Sequence, residues 1–195
     1  MAKKSIDLVF QTDPSWAEYI IQDHLDEFIA DHANCERKAS AMAMSLIVKY
    51  PDRPKIIPQL IEIAQEELEH FQQVYQIMQN RGIPLTKDTQ DPYIQALLKL
   101  LRHGRDDRFI DLLLLSSVIE CRGAERFRLI SQAISDPELK TFYRDLWASE
   151  AKHGTVFVDF ALAYFDEDTV YKRLNTLNDG EAEIIKDLPW RPFLH

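Results

Sequence analysis

The positions at which helical periodicity is broken constrain this chain more than any other feature. Its 195 residues include only 5 glycines. The breaking signals fall at Pro14, Asp52 to Pro54, Gly82 to Pro84, Asp91-Pro92, Gly104, Ser135 to Pro137 and Asp166 to Asp168. Between them run long segments with apolar residues at three- and four-residue spacing. They predict four long helices near 23–49, 54–81, 107–134 and 137–165, and shorter ones near 14–22, 91–103 and 168–178. Only a few residues around Pro51 join the first long helix to the second, and a few around Asp136 join the third to the fourth. Each pair is therefore expected to form an antiparallel hairpin. A connection of about 25 residues separates the hairpins, and an up-down-up-down bundle needs no such length. Scarce glycine also argues against turn-rich folds and glycine-rich phosphate loops. A chain of this length suits a single domain, 1–195, with a sizeable core.

Two helical hairpins joined by a long crossover make the ferritin-like variant of the four-helix bundle, so the expected class is all-α. One chemical pattern occurs in both hairpins. Glu67 with His70 and Glu150 with His153 are Glu-x-x-His pairs, and a three-residue spacing puts both side chains on one helix face, where they can chelate one metal ion. With 14 Glu and 6 His in the chain, chance gives about 0.4 such pairs, so the pairs alone are only suggestive. The added fact is a glutamate on each preceding helix: Glu36 stands 31 residues before Glu67, and Glu120 stands 30 before Glu150. The surrounding face is otherwise apolar or small, with Ile29, Ala33, Ala43 and Ile47 near Glu36, and Leu113, Ala124, Phe127 and Ile130 near Glu120. Four carboxylates aimed into a core need compensation. Two divalent cations supply +4, and neutral imidazoles complete their coordination. A dinuclear metal site is expected.

The neighbouring residues read more plainly. Glu66 and Glu69 point away from Glu67, and Glu62 and Glu125 are expected on solvated faces. His32, one turn before Glu36, reads as a hydrogen-bonded core histidine or as a partner of the ligands. Cys35 and Cys121 are expected as small buried residues, and Tyr75, Tyr143 and Tyr164 as packing groups. The small residues Ala39, Ser40, Ala43, Ser117 and Ala124 suit either a cavity or close helix packing.

The formal charge of −9 opposes binding to nucleic acid or anionic membranes except through a local patch. One window departs from this balance. Residues 102–128 carry six arginines, among them Arg102, Arg105, Arg108, Arg122 and Arg126, against five acids. Arg122 and Arg126 share a helix face turned away from Glu120, which suits phosphate contacts or a solvated stripe. Two cysteines without a CxxC spacing make neither a disulfide scaffold nor a four-cysteine metal knot and fit a reducing, cytoplasmic setting. The start MAKKSIDLVF lacks a signal-peptide core, and no apolar run spans a bilayer, so no membrane partner is expected.

The segments ANCERKASAMAM, IAQEELEHFQQV, GRDDRFIDLLLLSSVIECRGAERF, WASEAKHG and PWRPFLH resemble the 2-methylthio-isopentenyladenosine tRNA hydroxylase family across nearly the whole chain. The set Glu36, Glu67, His70, Glu120, Glu150 and His153 resembles the ligands of the ferritin-like di-iron carboxylate superfamily to which that family belongs. The resemblance implies an oxygen-dependent monooxygenase with two iron ions cycling between Fe2+ and Fe3+. Its co-substrate would be dioxygen, its electron donor is not identified by sequence, and its substrate would be tRNA. The expected reaction is hydroxylation of the isopentenyl side chain on the adenosine beside the anticodon. The competing class is a ferritin-like iron-binding or ferroxidase protein using the same ligands. Storage of that kind needs a hollow cage, and none is expected here. A rubrerythrin-like electron carrier is disfavoured, because two cysteines cannot build its rubredoxin iron site.

Overall fold

The computed structural model describes residues 7–195, in which all regular structure is helical. The first six residues of the N-terminal stretch, on which the absence of a signal peptide was read, lie outside the described residues. Seven helices follow in order: α1 (Ser15–Asp23), α2 (Leu25–Lys49), α3 (Ile57–Arg81), α4 (Pro92–Leu98), α5 (Arg105–Ala133), α6 (Pro137–Leu162) and α7 (Glu167–Asp187). The four long helices expected from periodicity are α2, α3, α5 and α6. They form two packed pairs, α2 with α3 and α5 with α6.

The chain divides into two compact units. One holds residues 22–89 with 191–194, and the other holds the rest of the described chain. The first of these is built on the α2/α3 hairpin. Pro58 occupies the first turn of α3, where its missing N–H costs nothing. Gly82 ends the helix in the left-handed region at φ 70°, and Ile83 N–H donates to Met78 O at 2.9 Å. That is a Schellman-type stop, which glycine alone enters without a Cβ penalty.

The other unit packs α4 and α7 beside the α5/α6 hairpin. Three of its helices start on an aspartate that caps free backbone N–H groups: Asp91 on α4, Asp136 on α6 and Asp166 on α7. Only three residues separate α5 from α6, and Pro137 directly follows the cap.

Two boundaries differ from the sequence reading. Helix α4 stops at Leu98 rather than near 103. The chain there tightens into three-residue turns, and Arg102 N–H is taken by Asp111 Oδ2 at 2.8 Å. Helix α7 runs on to Asp187, through the Asn178-Asp179-Gly180 stretch that reads as a stop. Gly180 lies inside the helix, where a Cβ would sit 2.8 Å from Leu100 Cδ1 and would oblige that side chain to move. Asn178 is a tether: its side-chain amide donates to Asp7 O at 2.9 Å.

Candidate metal centre

In the α2/α3 hairpin, Glu36, Glu67 and His70 each offer a ligand atom, and these atoms lie within 4.8 Å of one another. All three residues are buried. His70 Nδ1 stands 3.3 Å from Glu67 Oε2 and 3.8 Å from Glu36 Oε2. The other oxygen of Glu36, Oε1, meets Nε2 of the fully buried His32 at 2.5 Å. His32 is thus a partner of a candidate ligand, one of the two roles read from sequence. It stands a helical turn before Glu36 on the same face of α2.

The α5/α6 hairpin repeats the arrangement. Glu120, Glu150 and His153 bring their ligand atoms within 4.8 Å of one another, and His153 Nδ1 lies 3.2 Å from Glu150 Oε2. Glu150 and His153 are buried, while Glu120 is partly buried. A second device is duplicated as well. Ser40 Oγ donates to Ala64 O across the first hairpin, and Ser117 Oγ donates to Gly154 O across the second, each at 2.7 Å. Both serines lie a turn from the Glu36 or Glu120 of their own helix, and both accepting carbonyls lie near the Glu-x-x-His pair. The two hydroxyls therefore serve close helix packing and fix the register of each hairpin around its donor trio. Gly154 adds to this in α6, since a Cβ there would approach Cys121 Sγ to 2.7 Å and Ser117 O to 3.4 Å.

The donor chemistry of each trio, two carboxylates and one imidazole out of bulk water, fits a divalent transition metal. Buried carboxylates are otherwise strongly unfavourable.

The expected RNA-facing arginines need correction. Arg122 is fully buried and Arg126 nearly so. Arg122 uses all five guanidinium N–H groups. Nε donates to Glu181 Oε1 at 2.8 Å and Nη2 to Glu181 Oε2 at 3.0 Å; Nη1 donates to Glu125 and to Thr12 Oγ1, and the remaining Nη2 hydrogen reaches Phe10 O. Glu125, expected on a solvated face, is buried here and also accepts from Thr12 N–H and Oγ1, each at 2.7 Å. Arg126 lies 4.7 Å from the ring centre of the buried Trp16. Burial, and then the charge of Arg122, push its guanidinium down to about 10. Burial, and then the carboxylate of Glu181, raise the Tyr93 phenol well above its ordinary range; its hydroxyl donates to Glu181 at 3.0 Å. Helical periodicity alone could not find this cluster, because its polar residues pair across elements far apart in sequence.

Arg102 is also committed, to Asp107 at 2.7 Å and to the buried Asp111 at 2.8 Å. Arg173 joins the same carboxylate. Burial works against the charge of Asp111, but hydrogen bonds from Arg173 and Arg102 outweigh it and hold the carboxyl below its ordinary range. Of the arginines singled out, Arg105 and Arg108 are exposed. Cys35 and Cys121 are not in a disulfide and are partly rather than fully buried. Tyr143 packs on Phe127 and Tyr164 edges onto Phe109, while Tyr75 stacks on Phe71 with its own surface 39% exposed.

A family model described as tRNA-(MS[2]IO[6]A)-hydroxylase (MiaE) matches residues 2–195. The chain belongs to this family. A Pseudomonas putida protein named tRNA 2-(methylsulfanyl)-N(6)-isopentenyladenosine(37) hydroxylase is 34% identical over 175 residues, covering 90% of this chain and 84% of its own. A Salmonella typhimurium protein of the same name is 31% identical over 82% of this chain. The match spans only 56% of that protein's length. Among solved structures, a Synechococcus protein described as having aldehyde deformylating oxygenase activity matches at TM-score 0.91 and 32% identity, over 96% of this chain and 94% of its own. That likeness bears out the all-helical, ferritin-like class, and the family match bears out the resemblance carried by the quoted segments. No helix among the described residues is long and apolar enough to cross a membrane.

Proposed function

We propose that this chain is an oxygen-dependent di-iron monooxygenase that hydroxylates the isopentenyl side chain of 2-methylthio-isopentenyladenosine beside the anticodon of tRNA. One ferritin-like domain spanning 1–195 carries the activity, in the cytoplasm, with an external electron donor. The observation that carries the reading is the doubled donor trio in a chain of the tRNA hydroxylase family. Glu36, Glu67, His70, Glu120, Glu150 and His153 would hold two iron ions, whose +4 balances the four carboxylates. When bound, the iron pair supplies the redox chemistry by which dioxygen becomes reactive toward a C–H bond. One oxygen atom enters the prenyl carbon. The other leaves as water, with two electrons from the donor and two protons.

The chain's own residues set the conditions for this. His32 holds the Glu36 carboxylate in place through its hydrogen bond. Ser40 and Ser117 lock each hairpin at the height of its trio. Buried apolar residues on the helices that carry the trios, including Leu60, Phe127 and Phe157, limit the entry of bulk water and so restrict side reactions. Arg105 and Arg108 are retained as contacts for RNA phosphate.

To test the reading, iron-loaded protein is given reductant, isotopically labelled dioxygen and tRNA bearing the prenylated base, and the released nucleoside is weighed. One labelled oxygen in the prenyl group is expected. An unmodified nucleoside, despite demonstrated RNA binding and a competent donor, sinks the reading in favour of ferroxidation. The Synechococcus likeness favours a second reading, oxidation of an aldehyde with loss of its formyl group. Offering an aldehyde in place of tRNA separates the two.

A further inference from the structure

The burial of Arg122 and Arg126 leaves α5 only Arg105 and Arg108 of its expected cations, so an acidic chain that acts on RNA needs further positive charge. Helix α6, which carries Glu150 and His153, has such a face. Lys140, Arg144, Trp147 and Ala151 are all exposed. At 100° per residue they fall within an arc of about 60°. No carboxylate shares that arc: Asp145 and Glu138 lie roughly 160° and 180° around the helix from Trp147. Arg144 does donate to Asp145 Oδ1, at 2.9 and 3.0 Å. Both side chains are about two-thirds exposed, however, and a pair of that kind exchanges readily for a phosphate. Trp147 is 38% exposed, a large indole left in water three residues before Glu150. Along the helix axis the separation is about 4.5 Å. Trp147 therefore stands at the border between the exposed arc and the buried face that bears the candidate ligands.

We propose that the Lys140–Arg144–Trp147 face of α6 is the docking surface for the single-stranded anticodon loop of tRNA, with Trp147 stacking on an unpaired base and the two cations holding backbone phosphates. The inference rests on the tRNA hydroxylase reading and adds the RNA-facing surface to it. An indole flanked by cations suits single-stranded RNA in particular, because unpaired bases expose π-faces that a duplex conceals. The two cations add to Arg105 and Arg108 the local charge complement that a chain of net charge −9 needs to bind RNA.

The probe is an anticodon stem-loop RNA carrying the prenylated adenosine, bound to the iron-loaded full chain at several salt concentrations. Trp147→Ala should weaken binding about tenfold, with Trp147→Phe recovering much of it. The Lys140→Glu/Arg144→Glu pair should weaken binding further and reduce the salt slope by about 2. Lys172→Glu, half that charge change at an exposed position on α7, should leave affinity near that of the parent once net charge is allowed for. Iron content and unfolding midpoint, followed in every variant, report on folding. In a Trp190→Phe background the remaining indoles are Trp147 and the buried Trp16, so RNA should shield the fluorescence from acrylamide.

Parental affinity and salt slope in the α6 variants, with the parent still hydroxylating the RNA, overturn the docking surface and leave the reaction standing. A parent that neither binds nor modifies the RNA overturns both. A loss of binding that tracks loss of iron, or a change in oligomeric mass at parental RNA affinity, overturns the surface by making the face structural or self-associating.

Discussion

His70 and His153 decide whether the candidate centre holds metal, because each is the sole imidazole in its trio. Replacing either with Ala should reduce iron from about two ions per chain to about one or fewer, measured on protein grown with iron. Unchanged iron in both variants would refute the ligand assignment. His32 tests the layer behind the ligands. Its Nε2 contact with Glu36 fixes a carboxylate that otherwise rotates freely, so His32→Ala should lower iron affinity by about 10- to 100-fold. Competition against a chelator gives the number, and parental affinity would reduce the contact to packing. At this scale the sequence was most informative where chemistry repeats at a fixed interval. The Glu-x-x-His pairs and their leading glutamates could be read because helical spacing is local. His32 was visible only as two alternatives, because its ring orientation depends on what packs above it. Arg122 was misread outright. An arginine is usually exposed, and only the two carboxylates brought to it, Glu125 from its own helix and Glu181 from α7, make full burial tolerable.

Individual helices depend on contacts that their own sequences do not state. The close approach of α5 to α6 at Gly154 means that Gly154→Ala must displace Cys121 Sγ or part the helices. A loss of about 1–3 kcal/mol is expected, read from chemical unfolding. Should Cys121→Ala fail to restore part of it, the assigned cause is wrong. The seam between α5 and α7 is ionic. Arg122→Met would strand Glu125 and Glu181 in the core, at a cost of about 3–5 kcal/mol. The Asp111 pairing predicts acid sensitivity of definite sign. Its folded carboxyl is held below the ordinary 3.8, so its stabilisation is present above about pH 4 and is lost as pH falls through the folded value. Asp111→Asn should remove that part of the acid dependence, and an unaltered acid limb would contradict the pairing. These seams explain which boundaries the sequence revealed. Helices ended by caps, such as Asp136-Pro137 and Gly82, were placed to within a few residues. The end of α7 was placed at 178 rather than Asp187, and the packing of Gly180 against the Leu100 side chain, which helps hold the helix beyond that point, is not local.

At the scale of the whole molecule, the fold class followed from loop lengths: two short connections and one long one leave few ways to arrange four helices. The division into two compact units and the anchoring of residues 7–12 by Asn178, Glu125 and Arg122 could not be read, because both depend on pairings more than a hundred residues apart. Each unit carries one donor trio of its own, so iron held there is expected to act as a folding ligand as well as a cofactor. A ligand that binds only the native state, present at 100 times its dissociation constant, adds about 2.7 kcal/mol. For a chain of this size that corresponds to a rise of roughly 5–10 °C in unfolding midpoint. Ferrous iron added anaerobically should produce the shift in the parent, and a chelator should reverse it. His70→Ala and His153→Ala should each lose part of it, because each removes the one imidazole of its own trio. If iron raises the midpoint equally in the parent and in both variants, it binds somewhere other than these six residues. If it raises the midpoint of neither parent nor variants while iron remains bound, the native and unfolded chains hold it alike, and the two trios do not form a site created by folding.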